Sequence, residues 1–540
     1  MRRKFLTLAR QAATDARACT QTYITEQLED ADAARGGKDK QEMIASKHLP
    51  IITCILVCIL LVASGSIVYA AYATDTTRTP AYQKRMFGDE VVTLDIQTSA
   101  ADWQRFLDNA QSKEWVAVDL VINGERFSTV GMRTKGNASL WHDRGENNND
   151  RYSLQFKMNK FVKGQTYYGL DTFCVNNMIG DATYMKDYLA YDLMDFIGVV
   201  APLTNYANVS VNGEAYAFGV ALERYDKAFL DRVYNTSAGQ LYNVRIQREQ
   251  PGAAGNAGNA GRNAASPGGG QWGAAPGADS FGRNGGGSLM YRGDDFDNYY
   301  AIFDYAVFNT NDDNDKGRII TAIQHLNAGS DLEKYFDVDG ILRYFAAEAV
   351  LVNSDGYTSS MQQNYYIYER EGKLSILPWD YGCTFGSFRM TSASSVVNFP
   401  IDSPVYGVGM SERPLLFRLL EVEEYRSRYH GYIRQIIDGY FDSGIYAETI
   451  RSLDAKISPY VKQDVSPYYS HARYERSLTH LLAFGRLRSQ SVRGQLDGTI
   501  PSTLLGQWDD STALVDASDF NLNALGSVID DARARRDWWD

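Results

Sequence analysis

Cysteine and histidine are scarce in this 540-residue chain, which contains five cysteines and six histidines. Cys19, Cys54 and Cys58 lie in or before an apolar segment, which leaves Cys174 and Cys383 for the rest of the chain. These two could form one disulfide, but the chain is not a disulfide scaffold. The scattered cysteines and histidines also lack the spacing of a structural zinc site.

Positive charge is in short supply as well, since 54 Lys and Arg face 66 Asp and Glu, for a net charge of -12. This balance argues against a nucleic-acid partner, because no excess of cations exists to neutralise a phosphate backbone. A nucleotide-binding site is not excluded, because it needs only two or three cations and a metal. With 44% hydrophobic and 22% charged residues, the chain can form a packed core and is not wholly disordered.

Several catalytic motifs are missing. The chain has no Gly-x-Ser-x-Gly nucleophile elbow and no metalloprotease His pair, which disfavours a hydrolase. The N-terminal half has no G-x-G-x-x-G phosphate loop, and the glycines of residues 251–287 lack the context of one. An ordinary kinase is therefore disfavoured.

One long apolar run is present. No charged residue lies between Lys47 and Asp75, and this length predicts a transmembrane helix over residues 48–73. More cations precede the span than follow it, which predicts a cytoplasmic segment at residues 1–47. The chain is thus expected to cross the cell membrane once, with the body beyond a linker at residues 74–88 lying outside the cytoplasm.

The body is predicted to run from residue 89 to residue 502, with strands first and helices after about residue 296. Asn-Gly pairs at 123–124 and 212–213 predict two hairpin turns. The Gly/Ala/Asn-rich residues 251–287 predict a flexible insertion, and residues 503–540 a polar tail. This order favours the α+β class.

The most informative stretch runs from residue 351 to residue 386. Asp355 follows a predicted helix, Asn364 opens a strand, and Asp380 ends the next strand. Two carboxylates and a carboxamide at the mouth of one hairpin can hold a divalent cation and leave one carboxylate to accept a proton. Alternatively, Asp355 and Asp380 merely cap turns. The residues alone leave both interpretations open.

Several motifs of this chain resemble those of the CotH (spore coat protein H) family of atypical protein kinases, and along the chain they fall in the order of that family. They are LVNSDGYTSS, QNYYIYE, ILPWDYGCTFG, VGMRTKGNASL, RYSLQFKMNKFVKGQTYYGL, NGEAYAFGVALERYDKAFL and RPLLFRLL. The resemblance covers about residues 90–502. It implies a divergent two-lobed protein-kinase-like fold with ATP between the lobes. CotH-like proteins also lack the Gly-rich loop.

The resemblance also implies roles for individual residues. Asp355 matches the catalytic-loop aspartate, the base for the acceptor hydroxyl. Asp380 matches the metal-binding aspartate, and Asn364 is its companion ligand for Mg²⁺ or Mn²⁺. These roles suit phosphoryl transfer, which depends mainly on positioning and charge neutralisation.

Three further residues are assigned to the nucleotide. Arg133 and Lys135 lie two apart on a strand, hence on one face, where adjacent cations usually face solvent. The resemblance instead implies that they contact the ATP phosphates. Glu223 follows a strand and either orients a lysine, helps to bind metal, or is an exposed acid before a helix.

One departure from the family lies at the entry to a predicted helix. After Met185 the chain reads Lys186-Asp187, where the family is expected to have an Arg-Glu pair. If that glutamate forms a structural ion pair, Asp187 would have to reach one methylene farther.

The sequence therefore predicts a membrane-anchored extracytoplasmic kinase that transfers the γ-phosphate of ATP to Ser or Thr of envelope or coat proteins. The alternative is a catalytically inactive kinase-like scaffold or binding protein at the cell surface. The joint presence of Asp355, Asn364 and Asp380 favours the enzyme.

Overall fold

The computed structural model describes residues 79–136, 140, 150–245, 285–308 and 311–527. Seven strands of this body form a closed barrel in the order β1-β2-β3-β4-β5-β7-β6. All neighbours are antiparallel except β1 and β6, whose parallel pairing closes the barrel. The strands are β1 Val92–Gln97, β2 Val116–Ile122, β3 Glu125–Thr134, β4 Leu154–Lys157, β5 Thr172–Asn176, β6 Thr204–Val211 and β7 Glu214–Glu223.

The predicted hairpin turns are confirmed. Asn123 and Gly124 join β2 to β3, and Asn212 and Gly213 join β6 to β7, all four with positive φ. This geometry matches the right-handed twist of paired strands, and Asn and Gly adopt it with little strain.

Three more strands form a separate antiparallel sheet in the order β10-β9-β8. They are β8 Gln240–Val244, β9 Tyr365–Arg370 and β10 Lys373–Pro378. The predicted hairpin of β9 and β10 is confirmed, with Pro378 opposite Tyr365. This register places the residues just before β9 and just after β10 side by side.

Helices dominate the chain after β8. In chain order the α-helices are α1 Ala81–Met86, α2 Ala100–Asp108, α3 Lys186–Ile197, α4 Lys227–Tyr234, α5 Tyr300–Phe303, α6 Asp313–Ala328, α7 Leu332–Tyr335, α8 Val338–Leu351, α9 Ala393–Val397, α10 Pro414–Glu421, α11 Glu423–Ile436, α12 Ile445–Gln463, α13 His471–Leu496 and α14 Leu504–Asp509. A π-helical turn, Ile437–Phe441, follows α11. The start of α2 is capped by Ser99, whose Oγ accepts from the Asp102 backbone N–H at 3.1 Å.

Two hydrophobic clusters result from the alternation of side chains along the barrel strands. Phe173 and Val175 of β5 belong to a cluster inside the barrel, whereas Cys174 between them joins the cluster shared with the helices. On β7, Leu222 likewise faces the helices. The outer face of β5 and β7 is therefore the surface on which α3 and the helical half pack.

The predicted two-lobed protein-kinase-like fold is wrong. The β-rich N-terminal half followed by helices is observed, but the strands form a closed barrel. Local strand patterns indicate where strands lie, but they do not indicate which edges pair across the chain. Here the parallel pairing of β1 with β6 joins residues more than 100 positions apart and closes the sheet.

The predicted membrane anchor is also corrected. Across the described ranges, 79–136, 140, 150–245, 285–308 and 311–527, no helix is long and apolar enough to cross a membrane. This finding contradicts the fold with a transmembrane helix and the single-pass location in the cell membrane, and neither is carried further. The predicted span and the segment before it, residues 1–73, lie outside the described residues, as does most of the predicted insertion.

The end of the described chain packs against the rest of the body. Phe520, Leu522 and Leu525 are buried in the cluster shared with the helices. Cys174 and Cys383 are both free thiols.

Candidate active site

The loop that carries Asp355 begins where α8 ends. Val352 closes the helix with a left-handed backbone conformation (φ 54°), and the chain then turns through Asn353. The Asn353 Oδ1 accepts a hydrogen bond from the Asp355 backbone N–H at 3.1 Å. This Asx turn fixes the direction in which the half-buried Asp355 side chain leaves the loop.

Asn364 lies directly against Asp355. Its Nδ2 donates to Asp355 Oδ2 at 2.9 Å and to the Asp355 carbonyl at 3.1 Å. Both bonds use the amide nitrogen, and in the described part of the chain the Asn364 Oδ1 has no hydrogen-bond partner. The amide therefore presents an oxygen on the side away from Asp355.

Asp380 is placed beside Asn364 by the β9–β10 hairpin. The Trp379 backbone N–H donates to the Asn364 carbonyl at 3.3 Å, so the next residue projects at the mouth of the hairpin. Asp380 has a left-handed backbone conformation (φ 65°), and its N–H donates to the Tyr191 hydroxyl at 3.1 Å. Its carboxylate accepts no hydrogen bond from the described residues. The predicted juxtaposition of Asp355, Asn364 and Asp380 is thus present.

A third carboxylate, that of Asp187, lies in the same electrostatic environment. Burial and the neighbouring Asp380 charge raise the pKa of Asp187 to about 6. The same two causes, in the same order, raise the pKa of Asp355 to about 7. Carboxylates that raise one another's pKa in a partly buried site form an environment in which a bound cation is strongly stabilised.

Lys135 is connected to Asp187 through the side-chain amide of Asn176. The Lys135 Nζ donates to Asn176 Oδ1, while Asn176 Nδ2 donates to Asp187 Oδ2 at 2.7 Å. The other Asp187 oxygen accepts from the Tyr381 backbone N–H at 2.9 Å. Asn176 therefore bridges Lys135 and Asp187, and through Asp187 it joins Lys135 to the loop of Asp380.

Two cations flank the aromatic residue that precedes Asp380. The Arg224 guanidinium lies 4.6 Å from the ring centroid of the buried Trp379, and Lys135 Nζ lies 5.5 Å from it. Both distances are within the range of cation–π attraction. Positive charge is thus held next to Asp380 on the outer face of the barrel.

Arg133 lies farther along the same face than Lys135. Its guanidinium donates twice to Gln155 Oε1, at 3.0 and 3.2 Å, and it stacks on Trp115 at 4.5 Å. The structure shows no direct contact between Arg133 and Asp380 or Asp355. Its assignment to the nucleotide phosphates stays a prediction.

Glu223 does not lie with Asp355, Asn364 and Asp380. Its fully buried carboxylate accepts from Tyr82 at 2.6 Å, from Arg232 at 2.5 and 3.0 Å, and from the Leu203 backbone N–H at 3.1 Å. Leu222 faces the helices, so the alternation of β7 directs Glu223 to the opposite face. Its neighbours in the described chain give it an ion pair with Arg232.

Sequence reasoning missed Asn176, Arg224 and Glu348. Glu348 is a buried acid on α8 that accepts from Tyr381 and Asn353. Arg224 stands in the quoted motif NGEAYAFGVALERYDKAFL, directly after β7, and Asn176 is the last residue of β5. Their position at strand ends was a usable signal. Glu348 stands in the apolar second half of α8, and an acid among apolar residues there was the signal for a buried carboxylate.

The side chains present fit a magnesium ion. Asp380 offers a carboxylate that has no hydrogen-bond partner in the described ranges, and Asn364 offers an amide oxygen. Both are the hard ligands that Mg²⁺ prefers. No group of three His, Cys, Asp or Glu side chains that could hold a metal occurs within the described ranges. Mg²⁺ usually keeps several waters and binds through one or two carboxylates plus substrate phosphates, so a complete protein cage is not required.

Fold and site together define a barrel-and-helix protein in which carboxylates, an amide and cations meet at the mouth of one hairpin. The family model of the CotH kinase protein matches residues 132–492, and the chain belongs to this family. The match covers more than half of the chain and includes all six predicted site residues. The predicted family is therefore confirmed.

The chain is also similar to a curated protein, the inner spore coat protein H of Bacillus subtilis (strain 168). The two are 23% identical over 177 residues, which is 31% of this chain and 43% of that protein. The chain thus matches less than half the length of this relative.

Proposed function

We propose that this chain is a Mg²⁺-dependent kinase that transfers the γ-phosphate of ATP to a Ser or Thr hydroxyl of a protein. The observation that carries the proposal is the bonded pair of Asp355 and Asn364 beside the Asp380 carboxylate, which accepts no hydrogen bond from the described residues. Membership of the CotH kinase family supports it. Mn²⁺ is an alternative metal with the same ligand preference.

The chemistry assigns one task to each residue. Asp355 accepts the proton of the acceptor hydroxyl, a task that suits a carboxylate with a pKa of about 7. Asp380 and the Asn364 Oδ1 would hold Mg²⁺, which neutralises phosphate charge when bound. Lys135 and Arg133 supply positive charge for the phosphates, and Asn176 and Asp187 hold Lys135 in place.

The acceptor is proposed from the relative's name. Because that protein belongs to the inner spore coat, the proposed acceptors are Ser and Thr side chains of coat or envelope proteins. No nucleic-acid partner is proposed, since the chain has a net charge of -12.

Replacement of the proposed base tests the activity. The full chain, incubated with labelled ATP, Mg²⁺ and a generic Ser/Thr protein acceptor, is expected to transfer label, and Asp355→Asn to do so about 100- to 10,000-fold more slowly. The wild-type rate is expected to rise with pH up to about 7, as Asp355 ionises. The residual rate of the variant is expected not to rise over this pH range.

Two controls accompany this assay. Addition of EDTA is expected to stop transfer, and Asp119→Asn, a change of a carboxylate that pairs with Arg126 on the barrel, is expected to leave it unchanged. Equal label with wild type and Asp355→Asn would refute the catalytic assignment. No label from wild type with any metal would favour the inactive scaffold.

A further inference from the structure

Glu348 connects the two loops of the site although it contacts neither the proposed base nor the proposed metal ligand. It lies on α8, one turn before the helix ends, and is only 2% exposed. Its Oε1 accepts from the Tyr381 hydroxyl at 2.6 Å. Its Oε1 and Oε2 accept from Asn353 Nδ2 at 3.1 and 3.2 Å.

The two donors lead to different halves of the site. Asn353 Oδ1 accepts from the Asp355 backbone N–H, so its amide is held at both ends. Tyr381 follows Asp380 directly, and its backbone N–H is bound to Asp187. One carboxylate therefore fixes the Asx turn that directs Asp355 and the residue that follows Asp380.

The loop at Gly356 packs closely against the Glu348 carboxylate. A Cβ atom at Gly356 would lie 2.8 Å from Asn353 Nδ2 and 2.8 Å from Glu348 Oε2, closer than real Cβ contacts. A larger residue after Asp355 would therefore displace the Glu348 carboxylate or the Asn353 amide.

A buried carboxylate is a costly way to fill a helix position. Within the described part of the chain Glu348 forms no ion pair with a Lys or Arg, and burial raises its pKa to about 7. An apolar side chain of similar size would pack there without this desolvation cost. What an apolar side chain would not provide is an acceptor for both Asn353 and Tyr381.

We propose that Glu348 is a positioning residue that sets the placement of Asp355 relative to Asp380 through Asn353 and Tyr381. The inference rests on the proposed kinase function. The positioning has two arms, each a hydrogen bond to Glu348. The Tyr381 arm holds the proposed metal ligand Asp380, and the Asn353 arm holds the proposed base Asp355.

Three variants of the full chain separate the arms. Tyr381→Phe is expected to raise the Mg²⁺ concentration for half-maximal transfer about 10-fold, with kcat at saturating Mg²⁺ nearly retained. Asn353→Ala is expected to lower kcat about 10- to 100-fold at saturating Mg²⁺. Glu348→Gln leaves one accepting oxygen for two donors and turns an NH₂ group, which cannot accept, toward one of them, so it weakens both arms and is expected to show both changes in smaller measure.

Hydrogen exchange gives a readout that does not depend on activity. In Glu348→Gln the amides of residues 353–356 and 380–386 are expected to exchange faster, with the barrel strands unchanged. The matched control is Glu369→Gln, a change of an equally buried acid of β9 that pairs with Arg318 at 2.7 Å. This control is expected to lower stability without accelerating exchange in the two loops.

The outcomes are distinguishable. If wild type transfers phosphate and Glu348→Gln keeps its kcat, Mg²⁺ dependence and loop exchange, the positioning role is wrong. If wild type transfers no phosphate, the proposed function is wrong, while faster exchange of both loops in Glu348→Gln would still show that Glu348 holds them together.

Discussion

The Asp380→Asn variant is expected to lose phosphate transfer by about 1000-fold or more, and yet to melt at a higher temperature than wild type at pH 8. The loss follows because Asp380 is the carboxylate of the site without a hydrogen-bond partner among the described residues. Asn keeps the size and tolerates the left-handed backbone at this position (φ 65°), so the fold is not disturbed.

The gain in stability follows from the pKa values of its neighbours. Asp187 (pKa about 6) and Asp355 (pKa about 7) bind protons more tightly in the folded protein than the usual value of 3.8 implies for the unfolded chain. Between pH 4 and 7 the folded state therefore holds more protons, and wild-type stability falls as the pH rises. Removal of the Asp380 charge lowers both pKa values and relieves part of this cost.

The size of the effect depends on pH in a testable way. The variant is expected to gain about 1 kcal/mol at pH 8, where both neighbours are ionised, and almost nothing at pH 4. Thermal unfolding at the two pH values, with Asp119→Asn as the control for a surface carboxylate, measures the difference. An equal gain at both pH values, or retained transfer, would contradict the account of this site.

The Arg151→Met variant is expected to lose about 3–5 kcal/mol of unfolding free energy. Arg151 precedes β4, and its guanidinium lies 2.6 and 2.7 Å from the two carboxylate oxygens of Asp464, just after α12. Both side chains have no exposed surface. The substitution leaves the Asp464 charge buried, with hydrogen bonds from the Tyr184 hydroxyl at 3.1 Å and the Ser466 backbone N–H at 3.4 Å.

Two comparisons isolate the cause. Arg105→Met removes an exposed pair with Asp102 and is expected to change stability by less than about 1 kcal/mol. The double variant Arg151→Met/Asp464→Leu is expected to recover much of the loss, since no unpaired charge remains. Chemical denaturation measures all three, and a loss below about 1 kcal/mol for Arg151→Met would mean that Asp464 is solvated or paired otherwise.

Local signals in the sequence predicted local structure well. The Asn-Gly turns and the β9–β10 hairpin are confirmed, because each depends on residues close in sequence. Barrel closure depends on the pairing of β1 with β6, which no local pattern contains. The two-lobed fold was implied by the family resemblance, and the local strand patterns held no signal of the closed barrel that is observed.

The same holds for the candidate site, where the contacts within one hairpin and its loops were predicted and the contacts across the fold were not. Asp355, Asn364 and Asp380 meet as predicted, since one hairpin and its flanking loops carry them. Glu223 faces the other side of the barrel, because its direction depends on the register of β7. Asn176 bridges Lys135 and Asp187 through a contact between strand and helix, which the Met-Lys-Asp sequence alone did not reveal. The roles of these residues in catalysis stay predictions.

The most direct test of the account is the binding of ADP to the full chain, measured by calorimetry with and without Mg²⁺. If Asp380 and Asn364 hold the metal and Lys135 the phosphates, wild type binds ADP in the presence of Mg²⁺ and loses this binding when EDTA is added. Asp380→Asn is expected to lose the metal-dependent part, and Asp119→Asn to keep it. Absence of ADP binding by wild type under all conditions, or equal metal-dependent binding by Asp380→Asn, would contradict the account.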